Sequence, residues 1–193
     1  MLKIAIVIGS TRPNRKGEVV ARWVHDLLKA RTDAGFELVD IKDFNLPLLD
    51  EPNPPSAGKY ANEHTKIWSA KISSYDGFIF VTPEYNHGTC GALKNAIDFL
   101  YKEWNNKACG FVSYGGNGGT RAVEHLRQIM AEIQIADVRA QVALSTVLDY
   151  ENRSEFKPKD YHLKEVAIMA DQVVAWSGAL QTVRASVASS ARA

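Results

Sequence analysis

Residues 2–8 (Leu-Lys-Ile-Ala-Ile-Val-Ile) would be apolar on both faces of an extended segment, as a central strand of a parallel sheet is. Gly9 closes that run, and a polar stretch follows as far as Gly17. The period then changes. Over residues 18–31, Val19, Val20, Trp23, Val24, Leu27 and Leu28 fall on one helical face, with Arg22, Asp26 and Lys29 opposite. Residues 36–41 read as a second, shorter strand. Residues 43–59 hold Pro47, Pro52, Pro54 and Pro55 and read as a loop of about 17 residues, a length that in compact domains is often functional.

The same alternation repeats downstream. A helix is expected over 60–74, and a short apolar strand over 77–82 that Pro83 ends. A helix over 91–101 turns Leu93, Ile97 and Leu100 inward, and a strand follows over 107–114. After a turn at 115–119, Thr120 starts a helix carrying Val123, Leu126, Ile129, Met130 and Ile133. A fifth strand is expected over 138–148. A long helix over 160–187 uses Val166, Met169, Val173, Trp176, Leu180 and Val183 as its stripe, and the Ala- and Ser-rich residues beyond it are expected to fray.

Strand and helix thus alternate five times, which predicts an α/β fold with a doubly wound, five-stranded parallel sheet of order 2-1-3-4-5. There is no internal repeat, linker or low-complexity block, so residues 1–193 read as one domain. In such sheets ligands sit beyond the carboxyl ends of the strands, where the strand order reverses. The first and third strands flank that point.

Charge narrows the classes of partner. A formal net charge of +1 lacks the basic excess of a nucleic-acid binder and the acidic bias of a small electron carrier. Cys90 and Cys109 are the only cysteines and have no metal-type spacing, so a reduced, cytoplasmic setting is expected. The first apolar run is too short for a secretory signal, and none approaches the roughly 20 residues of a membrane span.

Three loops at strand carboxyl ends carry the chemistry. The first, Gly9-Ser10-Thr11-Arg12-Pro13-Asn14-Arg15-Lys16-Gly17, combines hydroxyls, cations and a helix start, the ingredients of an anion site. It is neither G-x-G-x-x-G nor a Walker loop, so a monophosphate fits better than a pyrophosphate, the alternative being a plain polar turn. The second, Thr82-Pro83-Glu84-Tyr85-Asn86-His87-Gly88-Thr89-Cys90-Gly91, offers a fixed turn, an aromatic ring, an amide side chain and two glycines to a planar ligand; an ordinary turn is again the alternative. His87 has no Ser or Asp partner nearby in sequence, and Cys90 reads as a packed thiol. The third, Ser113-Tyr114-Gly115-Gly116-Asn117-Gly118-Gly119-Thr120, would expose amides to the edge of a flat ligand or serve only as a flexible turn. A receiver-type acidic pair, a cysteine-phosphatase loop, HExxH, G-x-S-x-G and metal-spaced histidines are all missing.

Taken together, the three loops resemble those of the NADPH-dependent FMN reductase family over roughly residues 2–148. The strongest element is Pro83-Glu84-Tyr85-Asn86 with Gly91-Ala92-Leu93-Lys94-Asn95-Ala96-Ile97-Asp98, supported by Gly9-Ser10-Thr11-Arg12 and Ser113-Tyr114-Gly115-Gly116. The resemblance implies a flavodoxin-like three-layer sandwich with FMN at the switch point. Ser10, Arg12, Arg15 and the amides of Gly17 and Glu18 would hold the phosphate. Many family members have Ser where Arg15 stands, so charge and backbone would replace that hydroxyl. Pro83, Glu84, Tyr85, Asn86 and His87 would border the isoalloxazine, largely through backbone, and Ser113, Tyr114, Gly115 and Gly116 its other polar edge. The resemblance further implies ping-pong hydride transfer from NADPH or NADH to FMN and on to a flavin, quinone, azo or metal-oxyanion acceptor. No dedicated catalytic side chain and no metal would be needed. A homodimer or homotetramer is implied as well. The competing readings are a flavodoxin-type electron carrier without its own NAD(P)H oxidation and a regulatory domain that has lost the cofactor.

Overall fold

The computed structural model describes residues 1–190. Five long strands form its sheet: β1 (Leu2–Ile8), β2 (Ala34–Asp40), β3 (Gly77–Tyr85), β5 (Lys107–Gly115) and β6 (Ile135–Ser145). All are parallel, in the order β2-β1-β3-β5-β6, which is the expected 2-1-3-4-5. Two short additions depart from that expectation. β4 (Gly88–Thr89) turns back antiparallel on the end of β3, and β7 (Tyr150–Glu151) pairs with β8 (Glu155–Phe156) in a separate hairpin.

The helices make the outer layers. α2 (Glu63–Ser73), α3 (Gly91–Asp98) and α4 (Thr120–Glu132) pack Trp68, Ile72, Leu93, Ile97, Val123, Leu126 and Met130 against Ala5, Val7, Phe78, Phe80 and Phe111. α1 (Gly17–Leu28) and α5 (Tyr161–Ser190) cover the other face, where Val20, Val24, Val166, Met169 and Val173 meet Ile4, Ile6, Ile79, Val81 and Val112. The sheet side chains that point alternately to these two faces explain why the strands read as unbroken apolar runs.

Several boundaries differ from the sequence reading for physical reasons. β3 continues through Pro83 because β1 has already ended at Ile8, opposite Val81; beyond that point a missing N–H breaks no ladder on that side. The buried face of α1 is narrower than its apolar content, since Val19 and Leu27 are exposed. Along α5 the apolar stripe is also wider than the buried face: Trp176 and Val183 are half-exposed, although Ser177 beside Trp176 is fully buried. Fraying is expected beyond residue 187, yet the helix runs on to Ser190; residues 191–193 lie outside the described residues. The long proline-bearing loop contains two single 3₁₀ turns, Ile41–Phe44 and Pro55–Ala57. Among the described residues no helix is long and apolar enough to cross a membrane.

Candidate functional site

The carboxyl ends of β1, β3 and β5 bring the three loops to one edge of the sheet, as the strand order requires. The first loop begins with a hook: Gly9 N–H donates to the Val81 carbonyl at 2.9 Å, tying the end of β1 to β3. Ser10 is fully buried, and its Oγ lies 3.2 Å from the Tyr114 hydroxyl at the end of β5. Gly17 closes this cluster. A Cβ there would stand 2.8 Å from both Ser10 Oγ and Tyr114 Oη, so only glycine leaves the space open. No side chain caps the start of α1, so its first amides stay free for an anion. Burial pushes the Tyr114 hydroxyl well above its ordinary pKa, which keeps it protonated and able to donate.

The cations of this loop play different parts. The Arg15 guanidinium is buried, donating to the Ser10 carbonyl at 2.5 Å and to both carboxylate oxygens of Asp40. It therefore ties the loop to the end of β2 through a partner that sequence spacing does not reveal. Arg12 is exposed and, among the described residues, reaches only the Pro13 carbonyl, at 3.4 Å. Among the described residues neither Arg12 nor Lys16 is ion-paired with a carboxylate, so both are available to a ligand's charge. Glu18 is half-exposed and faces Arg22 at 2.9 Å.

The second loop is a hairpin. Tyr85 pairs with Gly88, and the two residues between them, Asn86 and His87, have φ of 49° and 70°. Positive φ at both central positions is the type I′ turn that fits the twist of an antiparallel pair. Arg121, at the start of α4, holds this hairpin from outside. Its guanidinium pairs with Glu84 and stands 3.0 Å from His87 Nδ1, while its backbone N–H donates to Glu84 Oε2 at 3.1 Å. Burial alone would raise the Glu84 carboxyl, but Arg121 and the α4 amides outweigh it and hold it below the usual carboxylate range. The Glu84 side chain is thus committed to α4, and the loop offers a ligand its backbone and the Tyr85 ring, which is 37% exposed.

In the third loop the buried Ser113 hydroxyl donates to the Gly118 carbonyl at 2.6 Å, drawing the turn back over the end of β5. Gly118 and Gly119 have φ of +70° and +71°, and a Cβ on Gly119 would lie 2.9 Å from the Tyr114 nitrogen. Gly116 is different: nothing lies within 4 Å of where its Cβ would be, so the loop presents an open backbone edge there. Beside the first loop, a cavity of about 310 Å³ is lined by Thr11, Lys42, Asn45, Leu46, Ala92 and Asn95.

This arrangement fits FMN. A free helix start with hydroxyls and unpaired cations suits a monophosphate, and the hairpin and the open Gly116 edge suit a flat ring. The described residues contain no group of His, Cys, Asp and Glu able to hold a metal ion. Both thiols are buried, and burial pushes that of Cys109 well up, so neither is a ready nucleophile. Sequence reading passed over Arg121, Asp40 and Tyr150. The motif Gly118-Gly119-Thr120-Arg121 carried a signal for the first, an Arg placed directly on a helix N-terminus.

Comparison with known proteins agrees. The profile of a family described as NADPH-dependent FMN reductase matches residues 2–149. The chain is 48% identical over 134 residues to the NAD(P)H-dependent FMN reductase ntnL of Nectria sp, covering 66% of this chain and 67% of that protein. It is 33% identical over 141 residues to a 2-hydroxy-1,4-benzoquinone reductase of Burkholderia sp, covering 69% and 73%. In fold it is similar to FerB, an NAD(P)H:(acceptor) oxidoreductase flavoenzyme of Paracoccus denitrificans, with a TM-score of 0.71 and 20% identity over 92% of this chain and 98% of that one.

Proposed function

The chain belongs to the NADPH-dependent FMN reductase family and is an oxidoreductase that works with FMN and NAD(P)H; from that premise we propose that it reduces a dissociable small-molecule acceptor, foremost a quinone, by a ping-pong sequence. Bound FMN would supply the hydride chemistry. The protein's part is to hold, orient and expose. Ser10, Arg12 and the amides of Gly17 and Glu18 would bind the phosphate, with Arg15 pinning their loop through Asp40. Pro83, Glu84, Tyr85, Asn86 and His87 would border the ring mainly through the rigid I′ turn, and Ser113, Tyr114, Gly115 and Gly116 its polar edge. One exposed face would then serve nicotinamide and acceptor in turn, which is what makes the sequence ping-pong and spares the site a dedicated acid or base. Free flavins, azo compounds and metal oxyanions are further acceptors of the same class.

The observation that supports this reading most is the cradle at Gly17, where two hydroxyls and an uncapped helix start converge on the space a Cβ would fill. We further propose a homodimer or homotetramer joined near the site, because Leu48, Val147 and Leu148 are 85%, 54% and 63% exposed. Two unpaired, buried thiols support a cytoplasmic setting.

The test is a visible spectrum of the purified protein before and after anaerobic NADPH, followed by initial rates with benzoquinone. A flavin spectrum that bleaches, then parallel double-reciprocal lines, is expected. A flavin that NADPH leaves oxidised would favour the electron carrier, intersecting lines would exclude ping-pong turnover, and light scattering at a monomer's mass would exclude the oligomer.

A further inference from the structure

The hairpin β7–β8 lies beyond the residues that the family profile matches, yet it reaches the phosphate loop. Tyr150, its first residue, is 4% exposed, and its hydroxyl is buried with no hydrogen-bond partner among the described residues. Such orphaned groups are rare in folded proteins and call for a missing partner. The Lys16 ammonium stands 3.9 Å above the centre of the Tyr150 ring and donates to the Arg153 carbonyl at 2.5 Å. Lys16 is also the residue immediately before α1, its carbonyl accepting from Val20 N–H at 3.3 Å. Tyr114, whose hydroxyl meets Ser10 and Gly17, is a near neighbour of Tyr150, and after burial it is the next cause that pushes the Tyr150 hydroxyl up.

Tyr150 is held firmly in this place. The buried Asp149 carboxylate accepts from Ser145 N–H at 2.8 Å and Lys159 N–H at 3.1 Å and lies 3.1 Å from His162 Nε2. Phe156, on the other strand of the hairpin, packs edge-on against Trp23 of α1 at 5.6 Å. The hairpin is therefore fastened at both ends, to the start of α5 and to the helix that bears the anion site.

We propose that Tyr150 and Lys16 form a second wall of the phosphate cradle, Tyr150 Oη donating to the FMN phosphate and Lys16 supplying its countercharge. This rests on the reading of the Gly17 cradle as the FMN phosphate site. It assigns the hairpin a part in retaining the cofactor.

The test compares the holo-protein with Tyr150→Phe and Lys16→Met variants, loaded with FMN or, after exchange, with riboflavin, which lacks the phosphate. Serial dilution releases flavin, and its fluorescence gives each Kd. Melting temperatures of the same samples report the fold. The expected result is an FMN Kd raised about tenfold in each variant, the loss of one charge-assisted contact, with the riboflavin Kd unchanged. Equal weakening of both flavins, or of neither, would overturn the proposal. A wild-type protein that holds riboflavin as tightly as FMN would overturn the cradle reading itself.

Discussion

The two ends of the sheet treat their polar groups in opposite ways. At the amino end the buried and half-buried charges are answered, and one exception there is an uncharged group, the buried Ser177 hydroxyl beside Gly77, which has no partner among the described residues. Asp76 accepts from Lys3 N–H at 3.0 Å and pairs with Arg184 at 2.6 Å. The buried Lys107 ammonium donates to the Ile72 carbonyl at 2.9 Å, closing the end of α2. At the carboxyl end donors are left waiting: no side chain caps α1, Arg12 meets no carboxylate, and the Tyr150 hydroxyl and Arg121 Nε are buried without partners among the described residues. Satisfied charges hold a fold, whereas unsatisfied donors gathered at one edge describe the ligand that would satisfy them.

Substitutions at the two ends should therefore separate binding from stability. The largest effect is expected for Gly17→Val. Its added carbons fall where Ser10 Oγ and Tyr114 Oη already lie 2.8 Å from the Cβ position, and FMN retention on dilution should be lost. Arg12→Ala should raise the FMN Kd by ~10–100-fold, the value of a charge-assisted phosphate contact, without moving the melting temperature; unchanged affinity would remove Arg12 from the site.

A middling effect is expected where the ends overlap in character. Arg121→Met strips the guanidinium from a nearly buried Glu84 and should cost about 1–2 kcal/mol in urea unfolding. Because the Glu84 carboxyl is depressed when folded, its contribution is present above its unfolded pKa and fades as pH falls through the folded one. The variant should accordingly lose less stability than the parent on acidification.

The smallest effect belongs to the amino end. Burial, with Arg184 as second cause, pushes Lys107 down to about 8. The folded protein thus binds fewer protons than the unfolded chain above that pH, and stability should rise by under ~1 kcal/mol between pH 7 and 8.5. Lys107→Met should flatten that rise, and an unaltered slope would assign it to other groups.

Much of this architecture was readable in advance because its signals are local. Apolar runs of strand length, glycines at their ends and amphipathic stretches between them determine the strand order and which loops meet. What escaped depends on partners far apart in sequence or on segments too short to show a period. Arg15 reads as a phosphate cation until Asp40 is seen to hold it. Pro83 reads as a terminator until the end of β1 is seen to make it harmless. The two-residue strands β4, β7 and β8 leave no alternation to detect, so the hairpin that carries Tyr150 falls in residues 149–159, between the expected fifth strand and last helix, where the sequence reading assigns no element.

The layering also bears on how the chain is made. β1 pairs with β2 on one side and β3 on the other, so these three strands can assemble while β5 and β6 are still being synthesised. Much of the face lined by Ile79, Val81, Val112 and Val142 must then wait for α5, which carries Val166, Met169, Ala170 and Val173 and comes last among the described elements. During translation that face is an open apolar surface, and a chain stalled before residue 161 would present it to chaperones or to other chains.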